Sequence, residues 1–270
     1  MVETLKLMAI LAHPDDESLG FGGILAKSAA EHVETHLVTA TRGEHGWTGN
    51  AQDYPGVAAL GKIREAELRA AAQILGVRDI ALLGYIDGEL DQAHPSEVVA
   101  KIVEHLRRIQ PHVVVTFGPD GCYGHPDHIA ISQFTTAAIL AAANPHSPYA
   151  EDLAPHEVAK LYYMAPSKEL LAAYQSAFGE LAMRIDGEDR SAAAWPDWQM
   201  TTRIDASEQW RTVWKAVRCH LTQIPAPHLL ERVSEKQHKL LWGYPTYYRA
   251  FSLVNGGRGV EHDVFAGLRT

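Results

Sequence analysis

From residue 5 to residue 142 the sequence alternates short apolar runs with stretches of helical length. No other feature limits the fold as much. Residues 5–12, 33–40, 79–83 and 113–117 read as strands; 113–117 is strongly β-branched. Residues 18–30, 57–75, 96–110 and 129–142 read as helices. Gly76 stops the second, Ser96 caps the start of the third with Pro111 at its end, and Asn144-Pro145 closes the fourth. Strand–helix alternation of this kind predicts an α/β fold, a Rossmann-like and mainly parallel sheet with helices on both faces. In such sheets ligands bind beyond the carboxyl ends of the strands. The loops after Ala12, Ala40, Leu83 and Phe117 are therefore expected to converge on a site.

Beyond residue 145 the pattern is a less regular C-terminal α+β portion. Residues 158–164, 181–185 and 247–254 read as strands, and 168–178, 207–221 and 229–241 as helices. Trp210, Val213, Trp214, Val217 and Leu221 form one apolar stripe on the second of these helices. Residues 187–196 read as a loop, too short to mark a domain boundary. We expect one domain over 1–270, with 1–145 as the core carrying the motifs and 146–270 contributing to a substrate pocket.

Composition excludes several classes. The chain of 270 residues is 46% apolar, and no run approaches the roughly 20 apolar residues that span a bilayer. The apolar start leads straight into His-Pro-Asp-Asp with no signal-peptide cleavage pattern, so a cytoplasmic protein is expected. Lys and Arg number 24 against 33 Asp and Glu, a formal net charge of −9, which disfavours nucleic acid and anionic membranes as partners. Cys122 and Cys219, the two cysteines, cannot make a disulfide framework. A homo-oligomer is compatible with the sequence, which carries no signal for or against one.

Two of the strand-end loops carry the chemistry. One reads Ala12-His13-Pro14-Asp15-Asp16-Glu17; the other runs from Gly118 through Tyr123 to His125-Pro126-Asp127-His128. A single Asp there is most simply a helix cap. Two His-Pro-Asp loops at strand ends of one sheet are not explained by capping. Imidazole and carboxylate suit zinc, and a catalytic zinc needs three protein ligands and an open position. A His and an Asp from one loop with a His from the other supply that set.

The motif pair Ala-His-Pro-Asp-Asp-Glu and His-Pro-Asp-His resembles the LmbE-like (PIG-L) deacetylase family, most firmly over residues 5–140. Its members remove acetyl or related acyl groups from N-acetylglucosamine-type amines and include the deacetylases of mycothiol and bacillithiol biosynthesis. The resemblance implies a metal-dependent hydrolase of C–N amide bonds acting on a small N-acetylated sugar derivative. It implies that His13, Asp16 and His128 bind Zn2+, with Fe2+ as the alternative hydrolytic metal. Asp15 would be the general base, His125 would stabilise the oxyanion or protonate the leaving amine, Asp127 would orient His125, and Tyr123 would polarise the acyl carbonyl. Arg64, Asp87, Glu44 in the Gly43-Glu44-His45-Gly46 loop, and His220 in His220-Leu221-Thr222-Gln223 match substrate-side positions. For each a plainer reading exists: a solvated helix face for Arg64, turns for Asp87 and Glu44, a core histidine for His220. Trp47, Trp195 and Trp198 could stack on a sugar, although simple packing explains them as well.

Three other readings use the same residues. An amidase cleaving thiol S-conjugates would share the metal motif. Two histidines and one carboxylate also form the set of non-haem Fe(II) oxygenases, but Asp15 and His125 favour hydrolysis. A non-catalytic metal-dependent binding protein would be expected to lack Asp15 or His125.

Overall fold

The computed structural model describes residues 4–185, 187–224, 233–257 and 259–269. Seven strands form one sheet in the order β3-β2-β1-β4-β5-β9-β8. They are β1 (Lys6–Leu11), β2 (Glu34–Thr41), β3 (Asp79–Tyr85), β4 (Val113–Thr116), β5 (Lys160–Met164), β8 (Thr202–Arg203) and β9 (Thr246–Ser252). The first five are parallel to one another, whereas β9 runs antiparallel to β5 and to β8. Parallel strands covered on both faces need apolar side chains in both directions. Accordingly, every residue from Leu7 to Leu11 and from Val113 to Thr116 is buried.

Among the described residues the α-helices are α1 (Asp16–Leu19), α2 (Gly22–Ala30), α3 (Val57–Leu75), α4 (Pro95–Ile109), a kinked turn α5 (Gly121–Gly124), α6 (Pro126–Ala143), α7 (Lys168–Phe178), α8 (Trp210–Val217) and α9 (Glu235–Trp242). α4 packs against α6, and α2 and α3 pack against α8. The chain steps outward from β1 to β2 and β3, then returns to place β4 on the other side of β1. That reversal creates a crevice between the ends of β1 and β4, where open α/β sheets bind ligands. The two His-Pro-Asp loops leave those two strands.

The expected elements differ from the observed ones in definite ways. The first helix is split at Leu19–Gly22 into α1 and α2. α4 starts on Pro95 with His94 as its cap, one turn position before Ser96, because proline suits the first helical residue. The 207–221 helix shrinks to α8 and Leu221 is 65% exposed, so it drops out of the apolar stripe. Residues 188–191 are not loop but β7 (Glu188–Ser191), paired in a separate ribbon with β6 (Ala182–Ile185). Part of the helix expected over 229–241 lies outside the described residues; the observed helix there is α9.

Candidate active site

β1 ends in Leu11, and the chain then turns sharply. The Asp16 carboxylate folds back, and its Oδ2 accepts from the amides of Ala12 (3.1 Å) and His13 (2.7 Å). Asp15, between them, has φ 117° and ψ −27°. A non-glycine residue rarely adopts that conformation, and such strain clusters at functional sites. Its amide is held by Glu17 Oε2 at 2.9 Å. Cys122, in the loop after β4, is similarly strained at φ 69°.

His13 stands at the centre. Its Nδ1 is 3.2 Å from His128 Nε2 and 3.9 Å from Asp16 Oδ2, and His128 Nε2 is 3.5 Å from Asp16 Oδ1. A tetrahedral zinc with ligands near 2.1 Å separates them by roughly 3.4 Å. On its other edge His13 Nε2 donates to Asp127 Oδ2 (3.0 Å), with Asp87 Oδ1 at 3.1 Å. His128 Nδ1 in turn donates to the Gly121 carbonyl at 3.3 Å. With the outer nitrogens so used, the inner Nδ1 and Nε2 lone pairs face each other. One positive charge must sit between them, either a proton or a metal ion.

The surroundings favour that charge. Asp16, Glu17, Glu44, Asp87 and Asp127 are all buried nearby, and Arg64 is the buried arginine among them. Burial works against a charged His13, but hydrogen bonds to Asp127 and Asp87 and the field of Asp16 push its pKa up to about 10. Burial, partly offset by His13 and reinforced by Asp15, raises Asp16 to about 7. Burial and then the charge of His13 lower His125 to about 4. Burial and the charges of Asp16 and Asp15 hold the Tyr123 phenol well above its usual range, so it stays a neutral donor.

The two inner imidazole nitrogens stand at the spacing a zinc ion would hold, while Asp16 presents Oδ2 to His13 and Oδ1 to His128, so its carboxylate has to turn one oxygen toward both for the expected trio to close. His125 Nδ1 accepts from the Asp127 amide at 3.2 Å, and the His125 ring stacks on His128 with centroids 4.7 Å apart. His13, His125 and His128 each bring a ring nitrogen within 4.8 Å of the others. His13 with Asp87 and Asp127 is a second geometric grouping. It is the weaker candidate, because the Asp127 oxygens already accept from Gly88 N (2.8 Å) and Leu90 N (3.1 Å). That arrangement matches a carboxylate orienting a ligating imidazole.

The four strand-end loops do meet. His45, after β2, gives its amide to Asp87 Oδ2, after β3, and Asp87 reaches His13, after β1. The expected pairing of Asp127 with His125 is replaced: the Asp127 carboxylate serves His13, since its place on the first turn of α6 points it across to the β1 loop. Arg64 Nη2 lies 3.3 Å from Asp15 Oδ2, while its Nη1 and Nη2 also donate to the carbonyls of Gly43 and Pro14. Glu44 turns back on its own loop, accepting from the Arg42 amide. Tyr123 lies edge-on to His125 and His128.

His220 is fully buried and pairs with Glu17 Oε1 at 2.7 Å, which also accepts from Ser18 Oγ. Glu17 was the residue missed in the sequence. Its signal was faint, a carboxylate in the first turn of a helix, where acidic side chains are ordinary. Trp198 is exposed, Trp195 donates to Asp120, and Trp47 donates to the Asn50 carbonyl.

Residues 8–139 match a family model described as GlcNAc-PI de-N-acetylase, PIG-L. A 1D-myo-inositol 2-acetamido-2-deoxy-alpha-D-glucopyranoside deacetylase from Kineococcus radiotolerans is 33% identical over 97% of this chain and 83% of its own length. Among solved structures, N,N'-diacetylchitobiose deacetylase from Pyrococcus horikoshii is similar with a TM-score of 0.69 at 21% identity, covering 92% of this chain and 84% of that one. A 4-carboxy-2-hydroxymuconate hydratase from Pseudomonas putida is similar with a TM-score of 0.67 at 19% identity, over 94% and 99%. At those identities the likeness is of fold alone, and the fold hosts more than one reaction.

Proposed function

The chain belongs to the GlcNAc-PI de-N-acetylase (PIG-L) family, and from that membership and the site geometry we propose that it hydrolyses the N-acetyl, or a related N-acyl, amide of a small glucosamine-type compound. Water is consumed, the C–N bond breaks, and a carboxylate and a free amine leave. The observation that carries the reading is the tripod of His13, His128 and Asp16, with the Asp15 carboxylate beside it and held by Arg64.

We assign zinc to the tripod, because two imidazoles and a carboxylate are its usual catalytic donors, with Fe(II) in the same role as the alternative. Such an ion supplies Lewis acidity to the amide carbonyl and lowers the pKa of water toward about 7. Asp15 accepts the proton of the attacking water. Asp15, protonated in that step, can return the proton to the departing nitrogen, and His125, whose Nδ1 accepts from the Asp127 amide, has its Nε2–H to give to the developing oxyanion. Tyr123 donates its phenol proton in a hydrogen bond to the acyl oxygen as negative charge grows there. Asp87 (with His13 and His45), Glu44 (with the Arg42 amide), Arg64 and His220 all have protein partners, and we assign the four to holding the strand-end loops around the substrate.

The test is amine release from a panel of N-acetylglucosaminyl compounds by the zinc-loaded protein and two variants. Wild type should release amine from at least one compound. Asp15→Ala should keep its metal and lose about 10²- to 10⁴-fold in turnover; wild-type rates in that variant would sink the base assignment. His128→Ala should lose stoichiometric metal, and tight retention would remove it from the ligand set. Silence across the panel, with thiol S-conjugates cleaved instead, would move the substrate class to those amides.

A further inference from the structure

A cavity of about 410 Å³ opens at the tripod and runs away from it beneath α7. Asp15, Asp16, Tyr123 and His128 stand at its mouth. Its walls are Leu170, Leu171 and Tyr174 of α7, Val213 of α8, and Leu241 and Trp242 of α9. The volume falls within the range of ligand pockets, and it is an order of magnitude more than an acetyl methyl fills, a group near the roughly 30 Å³ of one water.

The walls say what belongs there. Past the mouth the polar side chains are few. The Ser18 hydroxyl is given to Glu17, and the Tyr174 hydroxyl donates to the Leu19 carbonyl. Glu180, two residues beyond α7, is exposed and accepts from Ser191 Oγ. A sugar placed in this space would leave hydroxyls unpaired, which costs free energy for each group. The polar residues of the site lie elsewhere: Glu44, Arg64 and Asp87 do not line the cavity. Asp87 approaches His13 from the Nε2 edge, opposite the tripod.

α7 adds an independent sign. None of its residues is buried, yet Leu170 and Leu171 line the open space, and Tyr174 beside them reaches across it to the Leu19 carbonyl with its ring against Trp242. A roof of large apolar side chains over an apolar void is short of contacts that an apolar chain would supply.

We infer that this cavity is an acyl pocket and that the chain takes N-acyl groups longer than acetyl, with straight apolar chains of about six to eight carbons. The inference rests on the hydrolytic reading above. An acyl chain bonded to the amide carbonyl carbon at the mouth would run into the cavity, while the amine side points out of it. The bond broken is the same C–N bond, and the products are a medium-chain carboxylate and the free amine.

The test is a series of N-acylglucosamines (acetyl, butanoyl, hexanoyl, octanoyl) with octyl N-acetylglucosaminide as counter-probe. It is read twice, as amine release by the zinc-loaded protein and as calorimetric binding to protein stripped with a chelator. Burying one methylene is worth about fourfold. Hexanoyl should therefore exceed acetyl at least tenfold in kcat/KM and bind at least tenfold tighter. Ala182→Trp, on an exposed ribbon position lining the cavity, should erase most of that ratio. Leu171→Ala, which enlarges the pocket, should move the optimum to a longer chain. Acetyl cleaved and every longer chain slower would overturn the acyl pocket and leave the deacetylase reading standing. A preference for the octyl glycoside over N-octanoylglucosamine would also overturn it. Octanoyl bound tightly but no amine released from any compound would keep the pocket and sink the hydrolytic reading.

Discussion

At the scale of single residues, the unexpected pairing is the informative one. Asp127 is wholly buried, and each of its oxygens is used: His13 Nε2 and Gly88 N on one, Leu90 N on the other. This fixes which nitrogen of His13 carries a proton and leaves Nδ1 for a cation. Outer partners of this kind typically contribute 10- to 100-fold in metal affinity. Asp127→Ala is thus expected to weaken zinc binding by about that factor, measured by competition with a chromophoric chelator. Unchanged affinity would show that His13 needs no such support. The sequence made His13, Asp16 and His128 legible because each sits within a few residues of a strand end, and strand ends converge. It could not show the Asp127–His13 contact. That contact joins residues 114 positions apart, and it depends on how two loops face each other. Sequence proximity suggested His125 instead. Yet His125 is the cap of α6 and Asp127 is in its first turn, so the two side chains point differently.

Among the elements, those whose burial leaves a pattern were the readable ones. β1 and β4 are covered on both faces and read as apolar runs, Leu7–Leu11 and Val113–Val115. β7, Glu188–Ser191, is exposed throughout and has no such pattern, so only its pairing with β6 defines it. The link between the halves was also hidden. Glu17 on α1 holds the strained Asp15 amide and His220, from the segment that follows α8. Breaking a buried ion pair from one side leaves an uncompensated polar group. Glu17→Ala is expected to cost about 3 kcal/mol of stability, read from urea unfolding. It should also lower turnover more than metal content, because the Asp15 backbone loses its acceptor. The double variant with His220→Ala should be less destabilised than the sum of the single variants. Simple additivity would mean that the two residues act separately.

Over the whole molecule, the strands from the second half complete the sheet begun in the first, since β5, β9 and β8 extend it past β4. A sheet that crosses residue 145 argues for one folding unit, which a single unfolding transition would bear out. Its far edge is tied by Glu261. The carboxylate receives Lys160 Nζ at 2.7 Å, Tyr162 OH at 2.7 Å, Arg249 Nη1 at 2.8 Å and Asn255 Nδ2 at 2.6 Å. Burial alone would raise its pKa, but the bonds from Lys160, Asn255 and Tyr162 outweigh it and lower the group from the usual 4.5 to about 2. A carboxyl group with a depressed folded pKa stabilises fully above its unfolded pKa. It loses that contribution as pH falls through the folded value. That contribution, on the order of 2–3 kcal/mol, is lost progressively as pH falls from 4.5 through about 2. Glu261→Gln leaves Lys160 and Arg249 without their counter-charge, so it should be less stable than wild type at pH 7. The gap between the two proteins should narrow steadily on acidification below pH 4.5. Denaturant unfolding at a series of pH values measures it. A gap that stays constant down to pH 2 would mean that the Glu261 charge contributes nothing and that only its shape holds the sheet edge.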